Sequence, residues 1–291
     1  MFWKKQASHF DSDAEQRQAK IKELRAALGS LSVRGEKYCD EACLIRYLDA
    51  RNWNVDKSRK MLKESLKWRA TKRPEDIRWP YVSVEAEIGK MYKATFTNRE
   101  GRTVVVMRPA KQNTSSHERQ LQYLIYTLEN AVLSLPEGHA KMVWLIDFTG
   151  WTLAHATPFK TARDGMNVLQ NHYPKRLSIA FLFNPPRVFE SSFNLLKVLV
   201  DLKSAQKLNF VYKENKESMK TMYNHIDPEI LPMEFGGKNN VVYNHEDYSK
   251  LMTKDDIKTA SFGAADVNPV AKVDSVPKVK PQSSLIVAKA S

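Results

Sequence analysis

The sequence predicts an α/β fold in which a small helical lobe precedes a mostly parallel β-sheet with flanking helices. Short, nearly continuous apolar runs occur at TVVVMRP, MVWLIDF, LSIAFLF and LNFVY, as in strands that are buried on both faces. Amphipathic helical patterns separate these runs, which is typical of strand–helix–strand units. Before residue 81 the patterns are helical only.

The helical lobe contains three predicted helices. The first covers Asp13–Leu28 and ends at Gly29, a residue suited to the turn after a helix. The second begins near Asp40 and runs through CLIRYLDAR. Asp56 is the expected N-cap of the third helix, Pro74 ends that helix, and the lobe continues to about Tyr81.

Cys39 and Cys43 are four residues apart. Helical spacing would put both on one face as small buried apolar residues. Neither a disulfide nor a metal site is expected from two cysteines without further ligands nearby.

The second part of the chain alternates strands with helices over HERQLQYLIYTLENAVLSL and PFKTARDGMNVLQNHY, followed by NKESMKTMYNHI. NNVVYNH resembles an edge strand. Beyond about Phe262 the composition favours a disordered tail. The expected organisation is a helical lobe at 1–80, an α/β domain at 81–248 and an extension at 249–291.

The net charge of +13 favours contact with anionic surfaces, although scattered solubilising Lys and Arg residues would give the same total. No nucleic-acid-binding motif accompanies the charge, so no nucleic-acid partner is expected. No signal peptide is visible, and no run reaches the roughly 20 apolar residues of a membrane span. The chain is therefore predicted to be cytosolic.

No motif for catalysis emerges from the sequence. No G-x-S-x-G, H-E-x-x-H or Gly-rich phosphate loop is present. His155 follows a predicted strand but has no visible partner, and Asp147 is expected to cap loop N–H groups. An enzyme is not expected, and neither a cofactor nor a metal is implied.

The segment NPPRVFESSFNLLKVLV raises the question of what covers an unusually apolar helix. On a helical projection its apolar side covers about half the circumference. This side carries Val188, Phe189, Ser192, Phe193, Leu195, Leu196, Leu199 and Val200. A protein core, a partner or a lipid would each satisfy such a surface.

Several motifs in order resemble the CRAL-TRIO lipid-binding family, in particular the yeast-type phosphatidylinositol transfer proteins and their plant relatives. CLIRYLDARNWNVDKSRKMLKESLKWR is similar to the family's N-terminal signature, and VWLIDFTG to its strand ending in Asp. HYPKRL before an apolar strand and NPP, then LVDLKSAQKL and LPMEFGG, follow in the family's order. The resemblance covers about residues 15 to 248.

The resemblance implies a helical lobe packed on an α/β lobe that encloses one lipid beneath a movable gate helix. That gate helix coincides with Val188–Val200, with hinges at Pro185–Pro186 and Asp201–Lys203. Its acyl-chain contacts would be Phe189, Phe193, Leu196 and Val200. Apart from the resemblance, a fixed core helix explains the same pattern.

The family's phosphoinositide-binding residues match this chain in part. Arg51, Ser204 and Lys207 fall at positions that hold the head group, with Ser204 in place of a Thr. Asn52 stands where the family has a Lys, and Lys175 where it has a Glu. If Lys175 points inward, it replaces the charge missing at Asn52; a solvent-exposed Lys175 is the alternative.

The family's choline-lipid site uses a Ser and a Thr at positions occupied here by Met142 and Trp144. Neither supplies a hydroxyl, so phosphatidylcholine binding is not expected there.

The resemblance thus implies a cytoplasmic, peripherally membrane-associated protein that binds and transfers one phospholipid, with phosphatidylinositol as the expected ligand. Expected partners are acidic membrane surfaces and a lipid kinase, and the expected state is a monomer. Two alternatives remain open: a carrier of a neutral lipid of the tocopherol, squalene or sterol type, and a non-transferring interaction module.

Overall fold

The computed structural model describes the backbone of residues 2–188 and 205–263 and the side chains of residues 13–188 and 205–260. The helices are α1 (Phe2–Leu28), α2 (Val33–Tyr38), α3 (Glu41–Ala50), α4 (Val55–Lys72), α5 (Trp79–Ala86), α6 (His117–Leu133), α7 (Phe159–Asn167), α8 (Lys216–Tyr223) and α9 (His245–Gly263). The strands are β1 (Met91–Thr97), β2 (Thr103–Met107), β3 (Met142–Asp147), β4 (Leu177–Phe183) and β5 (Leu208–Val211). A π-helix, Val168–His172, extends α7, and short 3₁₀ turns include Leu153–His155 and Met233–Phe235.

The N-terminal lobe has its own apolar core, formed mainly by α1, α3 and α4. Its completely buried side chains are Leu24, Cys39, Cys43, Tyr47, Leu48 and Leu62. Gly29 adopts φ 71° after α1, and Asp40 caps α3 by accepting the Cys43 N–H at 2.6 Å. The predicted end of α1 and start of α3 are confirmed, whereas α1 begins at Phe2, earlier than the predicted Asp13, and α2 is an additional helix.

Two local predictions for this lobe are wrong. The N-cap of α4 is Asn54, which accepts the Lys57 N–H at 2.9 Å, and Asp56 lies inside the first turn. The cysteines do not share a helix, because Asp40 starts a new one between them: Cys39 caps the end of α2 and Cys43 belongs to α3. Both thiols are free and buried, as predicted.

The sheet has the strand order β1-β2-β3-β4-β5. β1 pairs antiparallel with β2, and the remaining neighbours are parallel. The four apolar runs form β2 to β5 as predicted. β1 escaped prediction because its sequence, MYKATFT, contains a lysine that reads as exposed, whereas Lys93 is buried in an ion pair with Asp255 at 2.5 Å.

Helices cover both faces of the sheet. On one face, Lys93 and Thr103 donate hydrogen bonds to Ser134, directly after α6. On the other, Phe181 packs against His225, just beyond α8, and Phe183 packs edge-on against Phe235. Helix α9, which the sequence patterns did not reveal, packs near the β1 edge.

The predicted edge strand NNVVYNH is wrong. Asn239 makes one isolated bridge to Pro232, and residues 240–244 run as irregular chain. The ring of Tyr243 packs on Tyr92, 4.8 Å between centroids, and its hydroxyl donates to the Ala86 carbonyl. Side-chain packing thus anchors this segment, without a ladder of hydrogen bonds. The tail predicted to be disordered lies largely outside the described residues.

Arg69 joins the two lobes. Its guanidinium, 8% exposed, donates to both carboxylate oxygens of Glu129 on α6 at 3.0–3.1 Å and to Glu75 at 3.0 Å. It also lies over the Tyr38 ring, and Tyr173 donates to Glu129 at 2.5 Å. This network fixes α4 against the α/β lobe.

His172 supports the same interface. Its ring stacks on Trp68 at 4.2 Å between centroids, and its Nδ1 lies 3.0 Å from the Ser65 hydroxyl. Burial, reinforced by the positive charge of Arg69, lowers the pKa of His172 to about 4. The imidazole is therefore neutral at physiological pH.

Across the part of the chain that the structure describes, no helix is both long and apolar enough to span a bilayer.

Candidate lipid-binding site

The side of the sheet that carries α6 presents a continuous apolar surface. Strand pairing aligns Val105 with Trp144, Met107 with Ile146, and Ile146 with Leu182. Directly paired residues of parallel strands share a face. The surface, here called the apolar face, consists of Val105, Met107, Trp144, Ile146, Ala180, Leu182, Leu208 and Phe210.

The apolar face is less completely buried than the opposite face. Met107, Ile146, Leu208 and Phe210 are only half-buried. On the opposite face, by contrast, Ile179 is half-buried, whereas most of the apolar residues from β2 to β4 are fully buried: Val104, Val106, Val143, Leu145, Phe181 and Phe183. Accessible apolar area therefore concentrates on one side of the sheet, where it is suited to an apolar guest.

Trp144 lies in the middle of the apolar face, and Met142 lies on the same side at the first position of β3. Both side chains are buried. The two positions compared with the choline-lipid site therefore present an indole and a thioether. Neither group offers a hydroxyl to a phosphate at this point of the sheet.

The loops at the carboxyl ends of the parallel strands expose further apolar side chains. Leu153 is 80% exposed, Phe159 71% and Val188 56%. The loops are tied together, since the Asn184 side chain donates to the Thr149 hydroxyl at 3.0 Å. The apolar face thus ends at a rim of exposed apolar side chains.

Asp147 and His155 have local structural roles. Asp147 accepts the Thr149 N–H at 2.9 Å, as predicted, and lies 3.9 Å from the buried Arg108. The Nδ1 of His155 accepts the Thr152 N–H at 3.1 Å. Among the described residues, no group of three or more His, Cys, Asp or Glu side chains could hold a metal ion.

The predicted head-group residues of the N-terminal lobe lie where α3 ends. Arg51 is half-buried and donates to the adjacent Ala50 carbonyl at 3.2 Å. Asn52 is exposed and, like Trp53, has positive φ. This left-handed turn separates the end of α3 from α4.

Lys175 faces this turn from the α/β lobe. Its Nζ lies 3.8 Å from Asp49 Oδ2, and its side chain is 21% exposed. Its φ of 61° places it in the left-handed region, directly before β4. The carboxylate of Asp49 offsets part of the Lys175 charge, a contact that the sequence comparison did not anticipate.

Lys207 lies next along the same edge of the sheet. Its Nζ donates to the Leu177 carbonyl at 2.7 Å, so it is tied to the first residue of β4. Arg51, Lys175 and Lys207, here called the head-group strip, therefore follow one another from α3 past the start of β4 to the start of β5. This edge is opposite to the rim that carries Leu153.

Other predicted site residues lie outside the described part of the chain: Ser204 of the head-group set, and Phe189, Phe193, Leu196 and Val200 of the gate helix. The first proposed hinge, Pro185–Pro186, is described and lies between β4 and helical backbone at Arg187.

A helical lobe joined to a predominantly parallel sheet with one accessible apolar face defines the class of α/β proteins with a lipid-type apolar site. Comparison with known families identifies the class further. The CRAL/TRIO domain matches residues 88–237, and the CRAL/TRIO N-terminal domain matches residues 20–64. The chain belongs to the CRAL-TRIO family.

Among its relatives is a phosphatidylinositol transfer protein, PDR17, of Saccharomyces cerevisiae, which is 33% identical over 76% of this chain and 64% of the relative. A CRAL-TRIO domain-containing protein of Schizosaccharomyces pombe, C23B6.04c, is 27% identical over 71% of this chain and 20% of its own length. The chain therefore spans less than two thirds of either relative. The SEC14 cytosolic factor of Kluyveromyces lactis is 28% identical, over 79% of this chain and 80% of that protein.

The fold also resembles that in the crystal structure of Sfh5, with a TM-score of 0.57 at 16% identity. The match covers 89% of this chain and 96% of that one. It establishes the likeness of the two folds, including the helical lobe.

Proposed function

We propose that this protein binds one phospholipid, with its acyl chains against the apolar face, and carries or presents it at membranes. The observation that carries the proposal is the accessible apolar surface on one side of the sheet. Full burial of an exposed Leu or Phe contributes roughly 1.5–3 kcal/mol, and the half-buried Leu208 and Phe210 would gain part of that under an acyl chain. The names of the relatives, a phosphatidylinositol transfer protein and SEC14 cytosolic factors, support this function.

Chain topology supports a covering segment on the same side. β4 and β5 are parallel neighbours, and residues 184–207 connect them. Such crossovers are right-handed in about 98% of cases, and β2, β3, β4 and β5 follow one another in one direction, so crossovers of the same hand lie on the side of the sheet that carries α6. The proposed gate helix would therefore cross over the apolar face, with Phe189, Phe193, Leu196 and Val200 available to contact acyl chains.

Phosphatidylinositol is the proposed ligand because the head-group strip offers three cations along one edge. Arg51, Lys175 and Lys207 would bind the inositol phosphate, with Ser204 and Asn52 supplying hydrogen bonds. The strip lies across the sheet from the exposed rim, so a lipid oriented along the apolar face would place its head group at one edge and its acyl tails toward the other.

The exposed rim is the proposed membrane contact. Leu153, Phe159 and Val188 would enter the interface, while Lys160 and Arg187 beside them would meet acidic head groups at about 1 kcal/mol per well-placed cation. We accordingly propose a cytoplasmic protein that associates peripherally with membranes. A monomeric state, the absence of enzymatic activity and presentation of lipid to a kinase belong to the same proposal.

A vesicle-to-vesicle transfer assay tests the head-group assignment. Lys207→Ala and Arg51→Ala should lower phosphatidylinositol transfer at least tenfold, because each removes a charged hydrogen bond worth roughly 1.5–3 kcal/mol. Lys213→Ala, an exposed lysine beyond β5, is the control and should leave transfer unchanged. Equal activity of all three variants would reject the assignment.

A neutral-lipid carrier is the second candidate, favoured by the indole of Trp144 and the thioether of Met142 at the two positions compared with the choline-lipid site. The same variants separate the two, since binding of a sterol or tocopherol should not depend on Lys207. A non-transferring interaction module is the third candidate. This function would be favoured if Phe193→Asp leaves lipid transfer unchanged.

A further inference from the structure

A cavity of about 150 Å³ lies between the lobes, beside the Arg69 network. It is bounded by α2, α3 and α4 of the N-terminal lobe, and by α6, the His172–Arg176 segment and α9 of the α/β lobe. Its charged lining residues are Arg34, Lys37, Arg46, Arg69 and Arg176 against Asp40, Glu75 and Glu129. This interlobe cavity is separate from the apolar face.

The carboxylates of the interlobe cavity are already engaged. Glu75 and Glu129 both bind Arg69, and Glu129 also accepts the Tyr173 hydroxyl. Asp40 caps α3 through the Cys43 N–H. Arg34 pairs with Asp76 at 2.8 Å, and Arg69 pairs with both Glu75 and Glu129, so the surplus positive charge of the lining includes that of Arg46 and Arg176.

The surplus concentrates on Arg46 and Arg176. Arg176 donates to the Ala140 carbonyl at 3.0 Å, which uses one of its five N–H donors. Within the described residues, no carboxylate lies within ion-pair distance of Arg46 or Arg176. Burial and the neighbouring Arg46 charge lower the pKa of Arg176 to about 10. Two guanidiniums thus face one small space, and Glu129, the lining carboxylate whose charge acts on Arg176, is already bound to Arg69.

We propose that the interlobe cavity is a second ligand site, which binds one phosphate group between Arg46 and Arg176. Guanidiniums match tetrahedral oxyanions through paired N–H donors. Cavities of about 150 Å³ hold a benzene-sized guest, so a single phosphate group fits. Because Arg46 belongs to the N-terminal lobe and Arg176 to the α/β lobe, the bound anion links the lobes.

This site differs from the head-group strip although both use the same two segments. On α3, Arg46 lines the cavity, whereas Asp49 contacts Lys175. In the segment before β4, Lys175 has positive φ and its side chain contacts Asp49 of α3. Its neighbour Arg176 instead donates a hydrogen bond to the Ala140 carbonyl. The inference therefore stands whichever lipid the apolar face binds.

Thermal unfolding of the full chain with inorganic phosphate tests the proposal. Phosphate should raise the melting temperature in a saturable manner, and titration calorimetry should give one site. Arg46→Gln and Arg176→Gln should each weaken phosphate binding at least tenfold, while Lys60→Gln on the exposed side of α4 should not. Phosphate binding that is absent, or that survives Arg46→Gln, would overturn the proposal.

The melting temperature of Arg46→Gln without phosphate shows whether a loss of phosphate binding results from misfolding of the variant. Arg46→Gln removes a like-charge contact with Arg176, so its melting temperature without anion should equal or exceed that of the unmodified chain. A lower melting temperature would count against the proposed surplus of charge.

Two arms identify the source of the phosphate group. Inositol hexakisphosphate represents a soluble phosphate ester, and vesicles of phosphatidylcholine with 5% phosphatidylinositol 4-phosphate represent a lipid head group. The proposal is supported if Arg46→Gln reduces binding of either ligand tenfold. The ligand whose binding falls identifies the source of the phosphate group as a soluble ester or a lipid head group. Equal binding by the variant and the unmodified chain in both arms would overturn the proposal.

Discussion

Replacement of Arg69 by Met is the sharpest test of how the lobes are joined. The substitution keeps a long apolar stem in a site where the residue is 8% exposed, but it removes the charge. Glu75 and Glu129, 17% and 14% exposed, lose their shared cation. Glu129 retains only the Tyr173 hydroxyl as a hydrogen-bond donor from this network.

The expected cost follows from these contacts. Arg69 makes hydrogen bonds of 3.0, 3.1 and 3.0 Å to two carboxylates. Each charged hydrogen bond contributes roughly 1.5–3 kcal/mol, though not additively. Breaking a buried ion pair from one side costs about 3–5 kcal/mol, because the partner charge stays buried. We expect a loss of that size in the free energy of unfolding.

Urea unfolding followed by tryptophan fluorescence measures this loss. Arg59→Met is the matched control on the same helix, since Arg59 pairs with Asp56 at 3.3 Å in a solvent-exposed contact. Such pairs contribute about 0–1 kcal/mol. A change below about 1 kcal/mol for Arg69→Met, or equal changes for both variants, would refute the assignment of Arg69 as the interlobe link.

The remaining predictions concern pH, the backbone and the membrane rim. Between pH 6.5 and 4, the unfolded chain binds a proton at His172 that the folded chain does not, so stability should fall by about 3 kcal/mol as pH drops through this window. His172→Gln should flatten that slope in pH-dependent unfolding, and an unchanged slope would contradict the buried neutral imidazole. Gly237→Ala would place a Cβ on the Leu231 carbonyl and should prevent soluble expression. Gly138→Ala meets no atom within 4 Å and bears only the strain of its φ of 77°, about 1–2 kcal/mol, so it should remain soluble; normal expression of both would contradict this packing. Leu153→Asp should reduce sedimentation with acidic vesicles without altering the melting temperature, and unreduced sedimentation would exclude this part of the rim.

Strand prediction succeeded where side chains are apolar throughout, and it failed where polar groups are buried in pairs. β2 to β5 were visible because their side chains are mainly apolar on both faces. β1 was not, since Lys93 forms its ion pair with Asp255 across 162 positions of the sequence. A pattern among neighbouring residues cannot reveal an ion-pair partner that is so distant in the sequence.

The candidate site was predictable only in part. Family motifs pointed to Arg51, Lys175 and Lys207, and their role as a head-group site stays a prediction; the structure adds the contacts of Lys175 with Asp49 and of Lys207 with the Leu177 carbonyl. The apolar face was not foreseen, because membership of Met107, Ile146 and the other residues depends on strand register. The alternation of side chains shows which residues of one strand share a side, but it does not show which residues of the neighbouring strands lie on that same side of the sheet. The interlobe cavity likewise brings Arg46 and Arg176 together from distant segments.

Native mass spectrometry of the purified full chain tests the central claim most directly. We expect a complex of one chain with one phospholipid, and we expect Ile146→Asp on the apolar face to lose that lipid while remaining folded. Lipid extraction should identify phosphatidylinositol or another anionic phospholipid. A chain that carries no lipid and acquires none from phosphatidylinositol vesicles, or one that carries only a sterol or isoprenoid, would contradict the account.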